Sequence, residues 1–183
     1  SEDFLAEPDV ARRDAALEGI DALMTDIPGV CVGVSTADCI PVLLYDEVRH
    51  VCCAVHAGWR GTVGRIVERA VLAMRNRFGT HPEYLRAIIG PGISLQAFEV
   101  GDEVYDTFRD AGFDMEAISR RYDKWHIDLW TCNRMQLEHS GLRSDAINTV
   151  GVCTYFHSDE YFSARRLGVS SGRIFSGIMI KDN

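Results

Sequence analysis

An α/β or α+β domain built on a mixed sheet is what this sequence predicts, and three observations predict it. Apolar strand-like runs alternate with segments of helical period. Two of those runs, 40–45 and 51–56, are joined only by a short polar segment at 46–49, so they read as a direct hairpin and not as strands linked by a crossover. The composition is globular, with 46% hydrophobic and 25% charged residues in a chain of 183, a length that suits one domain. Folding a chain this long buries roughly 70% of its unfolded surface, enough for a self-sufficient core.

The elements follow in order. Residues 1–9 read as an irregular end or linker. Pro8 and Asp9 open a short helix carrying Val10, Ala16, Leu17 and Ile20, with Gly19 near its end. Residues 22–25 form a short strand stopped by Pro28-Gly29, and 30–35 alternate as a β-rich run. After the hairpin the period changes. Val63, Ile66, Val67, Ala70, Val71, Met74 and Phe78 recur at helical spacing, with Thr62 as the expected cap and Gly79 as the stop. A strand at 85–89 runs into the turn Gly90-Pro91-Gly92. Helices are expected over 102–111 (Val104, Phe108, Ala111) and 129–139 (Leu129, Asn133, Gln136, Leu137), and late strands over 149–154 and 174–180. No internal repeat and no low-complexity segment is present.

Composition also excludes several classes of function. The net charge of −8 argues against a broad nucleic-acid surface, because phosphate binding needs clustered Lys and Arg. The longest apolar runs are far short of a membrane span. Six cysteines amount to about 3% of the chain, below the range of disulfide scaffolds. Cys31, Cys52 and Cys53 lie in strand-like runs where a free thiol acts as a small hydrophobe, which points to a reducing, cytoplasmic setting. Neither Gly-x-Gly-x-x-Gly nor a P-loop occurs.

The densest group of reactive side chains is Thr36-Ala37-Asp38-Cys39-Ile40-Pro41 followed by His56-Ala57-Gly58-Trp59-Arg60-Gly61. A symmetric hairpin loop centred between Glu47 and Val48 sets Cys39 directly opposite His56, with Cβ atoms roughly 4.5–5.5 Å apart. That spacing fits a shared Zn²⁺, a thiolate–imidazolium pair, or a buried Cys beside a structural His. Gly58 and Gly61 let backbone approach a ligand closely, and Arg60, leaving a strand end beside the pair, suits an anion such as phosphate. Gly90-Pro91-Gly92-Ile93-Ser94 either fixes a strand edge or presents N–H groups to an anion. Arg165, Arg166 and Arg173 either bind phosphate or pair with the acidic surface. Phe98 and Phe162 belong to the core or stack a purine. His50, His81 and His139 read as solvated or helix-end residues, and His126 as structural, although it lies within reach of a cleft.

The strings TADCIPVLLYD, HAGWRGT, IGPGIS followed by AFEVG, DLW with NRMQL, and FSARRLGVSSGRIFSGIMI resemble the YfiH family, in the family's order, from about residue 21 to 180. Its members are also called multicopper polyphenol oxidases or laccase-domain proteins, and zinc-dependent purine nucleoside phosphorylases. The resemblance implies an α/β fold with mixed β-sheets and outer helices, similar to the catalytic domain of cytotoxic necrotizing factor toxins. It implies Zn²⁺ on one Cys and two His, which places Cys39 and His56 as metal ligands. The family's other His lies in a Gln-x-His motif upstream of the segment matching 21–23, whereas the first histidine here is His50. Residues 1–183 are therefore expected to form a single domain lacking the family's N-terminal segment, with the third ligand upstream of Ser1 and zinc weak in this chain alone. His157 falls in a stretch similar to the family's loop before FSARR and is a candidate for the site, as are Arg165 and Arg166 for phosphate.

The expected activity is phosphorolysis of adenosine, inosine and methylthioadenosine, with adenosine deamination, Cys39, His56 and Arg60 carrying it. A role in peptidoglycan editing also attaches to some members. Three rivals stand beside it. Copper oxidation of polyphenols would use Cys39 and His56 in a His₂Cys set, but a multicopper centre needs many more histidines than the six here. A metal-free cysteine hydrolase would use the same pair. A non-catalytic cell-envelope accessory module would need neither residue.

Overall fold

The computed structural model describes residues 8–168 and 170–181, so the expected irregular end at 1–7 lies outside the described residues. Helix α1 (Val10–Leu17) starts where the Asp9 carboxylate accepts hydrogen bonds from the N–H groups of Ala11 and Arg12. Strands β1 (Ala22–Thr25), β2 (Cys31–Thr36), β3 (Ile40–Asp46) and β4 (Val51–Ala57) follow. Next come α2 (Trp59–Val63), α3 (Ile66–Phe78), β5 (Leu85–Ile89), β6 (Glu99–Val100), α4 (Asp102–Asp110) and α5 (Met115–Ile118). The chain continues through β7 (Ser119–Arg121), β8 (Trp125–Ile127), α6 (Leu129–His139), β9 (Ile147–Thr149), α7 (Ala164–Leu167) and β10 (Ile174–Met179).

The main sheet has the order β1-β4-β3-β5-β9, antiparallel throughout except for the parallel pair β5–β9. The expected mixed sheet is therefore present. Strand β4, between β1 and β3, is apolar along both faces. Val51, Cys53, Val55 and Ala57 join the helical core with Val67, Val71 and Met74 of α3 and with Leu129 and Leu137 of α6. Cys52 and Ala54, on the opposite face, pack with Val32, Val34 and Ile180. That second layer is a two-stranded sheet in which β10 pairs antiparallel with β2. It covers only part of the face, and an open groove of about 860 Å³ remains beside it, lined among others by Leu43, Tyr45, Ile88 and Met179. A small sheet of order β6-β8-β7 sits apart from these layers. Among the described residues no helix is long and apolar enough to cross a membrane.

Several local expectations change. Thr62 does not cap the long helix. It is buried inside the separate short helix α2, which begins at Gly58, and the chain breaks at Gly64 and at Arg65, whose φ is 59°. Gly61 and Gly64 weaken helix propensity enough to split the segment. The far end is as expected, with Gly79 closing α3 at a φ of 69°. The late strand expected over 149–154 is instead Ile147–Thr149, because the chain turns at Gly151, with φ 71°, before Cys153 bridges to Gly92. Cys31 is exposed and is no part of the core. Strands β6, β7 and β8 and helix α5 were not legible, since two to four residues cannot display a period.

Candidate active site

The hairpin turn sets the geometry of the reactive pair. Asp46 pairs with Val51, leaving the four-residue turn 47–50, so Pro41 and not Cys39 is level with His56. A two-residue loop at Glu47-Val48 would need φ above zero at Glu47 in a type II′ turn and at both residues in a type I′ turn, which non-glycine side chains resist. Instead the Asp46 carboxylate accepts from the N–H groups of Val48 and Arg49, both at 2.9 Å, and His50 takes the left-handed φ of 52°. The shift is two residues, so the parity of the faces survives. Cys39 falls level with Gly58, on the face that carries His56 one step diagonally away.

The two reactive groups still meet. A Cβ built on Gly58 would lie 3.1 Å from Cys39 Sγ and 3.8 Å from His56 Nε2, so both side chains converge over a glycine that leaves them room. The imidazole is pushed up from its ordinary value to about 9. The hydrogen bond with the Cys39 thiol does most to raise it, desolvation opposes that, and the Asp21 carboxylate adds to it. His56 Nδ1 is 2.8 Å from Asp21 Oδ1, and the His56 N–H donates to the Asp21 carbonyl at 2.7 Å. Asp21 is one residue before β1, and its position continues the β1–β4 register to lie opposite His56. With Nδ1 engaged, Nε2 is the nitrogen aimed at Cys39. Sequence reasoning missed Asp21. Its only signal was its place just before a strand, and that says nothing about which strand it joins.

Loops close one side of the pair. The N–H of Ile93 donates to the Asp38 carbonyl at 2.8 Å, and Gly92 hydrogen-bonds on both sides to the segment 152–154. Of the two readings of Gly90-Pro91-Gly92-Ile93-Ser94, the structure shows the fixed edge. Trp130 Nε1 also donates to the Gly90 carbonyl at 3.2 Å. Helix α2, which carries Arg60, is anchored from beneath. Gln136 Nε2 donates to the Thr62 carbonyl at 2.8 Å and Asn133 Nδ2 to Thr62 Oγ1 at 3.3 Å, all three residues being buried.

The remaining candidates are placed as follows. Arg60 is exposed, lies over the Trp59 ring at 4.3 Å, and makes no ion pair among the described residues. Arg165 is brought to the Cys39 turn through its main chain, and its guanidinium donates to the Glu99 carbonyl at 3.0 Å. Arg166 lies over Tyr155, 5.2 Å from the ring. The His157 side chain is exposed, with no hydrogen bond to the pair among the described residues. Arg173 bonds the carbonyls of Ser171 and Gly172. His126 is structural as expected, buried with Nδ1 2.9 Å from the Leu95 carbonyl. Phe98 is in the core and Phe162 is exposed.

Comparison with known proteins now decides the family. The family model described as multi-copper polyphenol oxidoreductase laccase matches residues 5–181. The chain belongs to that family. A relative in Bacteroides thetaiotaomicron named purine nucleoside phosphorylase is 54% identical over 172 residues, 92% of this chain and 64% of its own length. Another, adenosine deaminase RL5 from an unknown prokaryotic organism, is 43% identical over 176 residues, 94% of this chain and 67% of its own. The crystal structure of the hypothetical protein YfiH of Bacillus licheniformis superposes with a TM-score of 0.86 at 34% identity, over 92% of this chain and 64% of that one. YlmD of Geobacillus stearothermophilus gives 0.84 at 30% identity, over 90% of this chain and 62% of its own. The chain thus spans a little under two thirds of the length of several relatives that it matches.

The laccase family implies a metal, and the donors of this chain fit one only in part. Cys39 and His56 offer sulfur and nitrogen, with Asp21 orienting the imidazole as outer carboxylates do around metal-bound histidines. Among the described residues, however, no group of three His, Cys, Asp or Glu is placed to hold an ion. Two donors fall short of the three that a catalytic zinc takes from protein.

Proposed function

We propose that this chain is the catalytic part of a purine nucleoside phosphorylase that also deaminates adenosine. The observation that carries the reading is the convergence of Cys39 and His56 over Gly58, with His56 oriented by Asp21, in a chain 54% identical to a relative named for that activity. In phosphorolysis an oxygen of inorganic phosphate bonds to C1′ of the ribose while the C1′–N9 bond breaks and the purine leaves with a proton. In deamination water adds at C6 of adenine and ammonia leaves. Arg60 and Arg165 are the proposed anion contacts, both exposed, Arg60 four residues after His56 and Arg165 bonded through its main chain to Asp38 beside Cys39.

Zinc is the proposed metal. Sulfur and imidazole nitrogen suit it, and the other five histidines are not gathered into a further cluster with Cys39 among the described residues, as a multicopper centre would require. A third donor must join Cys39 and His56. The proposed compartment is the cytoplasm, where six unpaired thiols persist.

The test is product analysis of adenosine incubated with phosphate. Adenine with ribose 1-phosphate establishes phosphorolysis, and inosine establishes deamination. Cys39→Ala should abolish both, and neither product from a folded sample shown by metal analysis to be zinc-loaded would sink the reading. A second reading has its own support, because nucleophile, base and orienting carboxylate in the order Cys39, His56, Asp21 is also the arrangement of a thiol hydrolase. Ester hydrolysis that survives a chelator but not Cys39→Ala would favour it.

A further inference from the structure

Asp38, the residue before Cys39, is held in a way that needs an explanation. It takes a φ of 83°, in the left-handed region that non-glycine residues seldom visit, and is only 9% exposed. Its carboxylate is buried with neutral partners. Oδ1 accepts from Thr154 Oγ1 at 2.7 Å, and Oδ2 accepts from the main-chain N–H of Arg165, also at 2.7 Å. Among the described residues no Lys, Arg or His forms an ion pair with it. A buried carboxylate without a counter-ion is costly, and backbone strain is an added cost. Both persist only where surrounding structure over-determines them.

The carboxylate joins two parts of the molecule that are far apart in sequence. On one side is the turn that ends in the Cys39 thiol. On the other is α7, whose first turn has two N–H groups satisfied by two acceptors. Ser163 Oγ takes Arg166 N at 3.1 Å, and Asp38 takes Arg165 N. The Arg165 side chain is fixed in turn by its bond to the Glu99 carbonyl and lies 5.7 Å from the Phe98 ring. A continuous path therefore runs from Cys39 through Asp38 to Arg165 and Glu99. Thr154 ties the same carboxylate to the loop that bridges Gly92.

We infer that Asp38 is a positioning residue that couples the Cys39 turn to helix α7, so that the thiol and the Arg165 guanidinium hold fixed places on one rim of the site. It acts by shape, through Cys39 and Arg165, and touches no reacting atom. For catalysis the inference rests on the proposed phosphorylase reading, with Arg165 as a phosphate contact. Its structural part does not.

Three variants test it. Gly and Asn both tolerate a positive φ, so Asp38→Gly removes the carboxylate without adding strain, and Asp38→Asn keeps the shape. The Asn carbonyl can accept from Arg165 N, and its amide can donate to the Thr154 hydroxyl. Hydrogen exchange is read at the Arg165 amide, and kcat and KM for phosphate are read from adenine release. Asp38→Gly should speed exchange at Arg165 at least tenfold and lower kcat/KM for phosphate at least tenfold, more than it lowers that for adenosine. Asp38→Asn should stay within about threefold of the parent on every readout. In an Arg165→Ala background, Asp38→Gly should cost less than a third of its effect on phosphate in the parent. Equal damage from Asp38→Asn and Asp38→Gly would overturn the inference, since charge would then matter and not shape. Unchanged Arg165 exchange in Asp38→Gly would overturn it as well, as would full additivity with Arg165→Ala. A zinc-loaded parent that releases no adenine defeats the phosphorylase reading alone, and the exchange experiment still decides the coupling.

Discussion

Gly92→Ala is the sharpest steric test of how the site is built. A Cβ at this position would lie 2.4 Å from Ile40 Cδ1, 3.0 Å from the Asp38 carbonyl oxygen and 3.3 Å from that of Cys39. Ile40 is fully buried and the other two atoms are backbone, so none can yield cheaply. Nor can the 92 segment retreat. Its N–H donates to the Val152 carbonyl at 3.2 Å, and its own carbonyl accepts from Thr154 at 3.0 Å. Overpacking of this kind costs about 1–3 kcal/mol, and the immovable backbone contacts argue for the upper half. The φ of Gly92 is not positive, so alanine recovers about 0.4–1 kcal/mol by restricting the unfolded chain. The net loss is about 1–2.6 kcal/mol, or about 2–10 °C in unfolding midpoint for a domain of this size. Thermal melts and urea titrations with an unchanged m-value would measure it. Because the push lands on the Asp38 and Cys39 carbonyls, product formation should fall at least tenfold at temperatures where the variant is fully folded. A variant that melts within 1 °C of the parent and retains its activity would refute this account of the Cys39 turn.

Other substitutions probe the remaining contacts. Gly58→Ala meets no backbone obstacle, since φ is −67° and ψ 169°, but its methyl enters the space between Cys39 Sγ and His56 Nε2. Stability should change by less than about 1 kcal/mol, while zinc affinity in a chelator competition falls more than tenfold; unaltered affinity would remove Cys39 and His56 as joint ligands. Asp21→Asn should lower kcat and metal affinity by about 10–100-fold, as loss of an outer carboxylate partner does, with little change in melting temperature. Gln136→Leu strips the buried bond to the Thr62 carbonyl and should cost about 1–3 kcal/mol in urea titrations, loosening α2 from α6. Among the thiols away from the site, exposed Cys31 should alkylate before the buried Cys52, Cys53 and Cys132 in the native protein. Desolvation pushes Cys53 up to about 12 and raises Cys132 too, so both should stay unlabelled by iodoacetamide from pH 7 to pH 9 and react once urea unfolds the chain.

Much of the architecture was legible because it is written in long, one-pattern segments. The hairpin of β3 and β4, helix α3 and its Gly79 stop, and helix α6 each carry enough apolar residues to show a period. The site was half legible. Cys39 and His56 stand at strand ends, and hairpin parity puts them on one face whether the loop has two residues or four. The loop length itself was not legible, because the Asp46 carboxylate decides it by bonding Val48 and Arg49, a competition between local hydrogen bonds that apolar patterning does not record. Asp21 and the Thr154–Asp38–Arg165 contacts were beyond reach for a different reason. They join residues up to 127 positions apart, and only the closed fold brings them together.

The placement of the site also explains how the fold itself holds its side chains. His56 lies on a strand whose alternate residues are buried on both faces, with Val55 and Ala57 against the helices and Ala54 and Cys52 against β2 and β10. A slip of one residue would carry the imidazole into the helical core and bring Val55 to the site, and burial of an unpaired imidazole resists that. The register of His56 is therefore enforced by the apolar residues around it, and Asp21 inherits the same register because β1 is paired to the same strand. Cys39 has no ladder partner beyond Ile40, so its position depends on contacts from outside the sheet, namely those of Asp38, Gly92 and Ile93. The imidazole should thus tolerate loop substitutions that displace the thiol. In a set of variants at 38, 92 and 154, catalytic loss should track the environment of Cys39 and leave the His56–Asp21 contact intact.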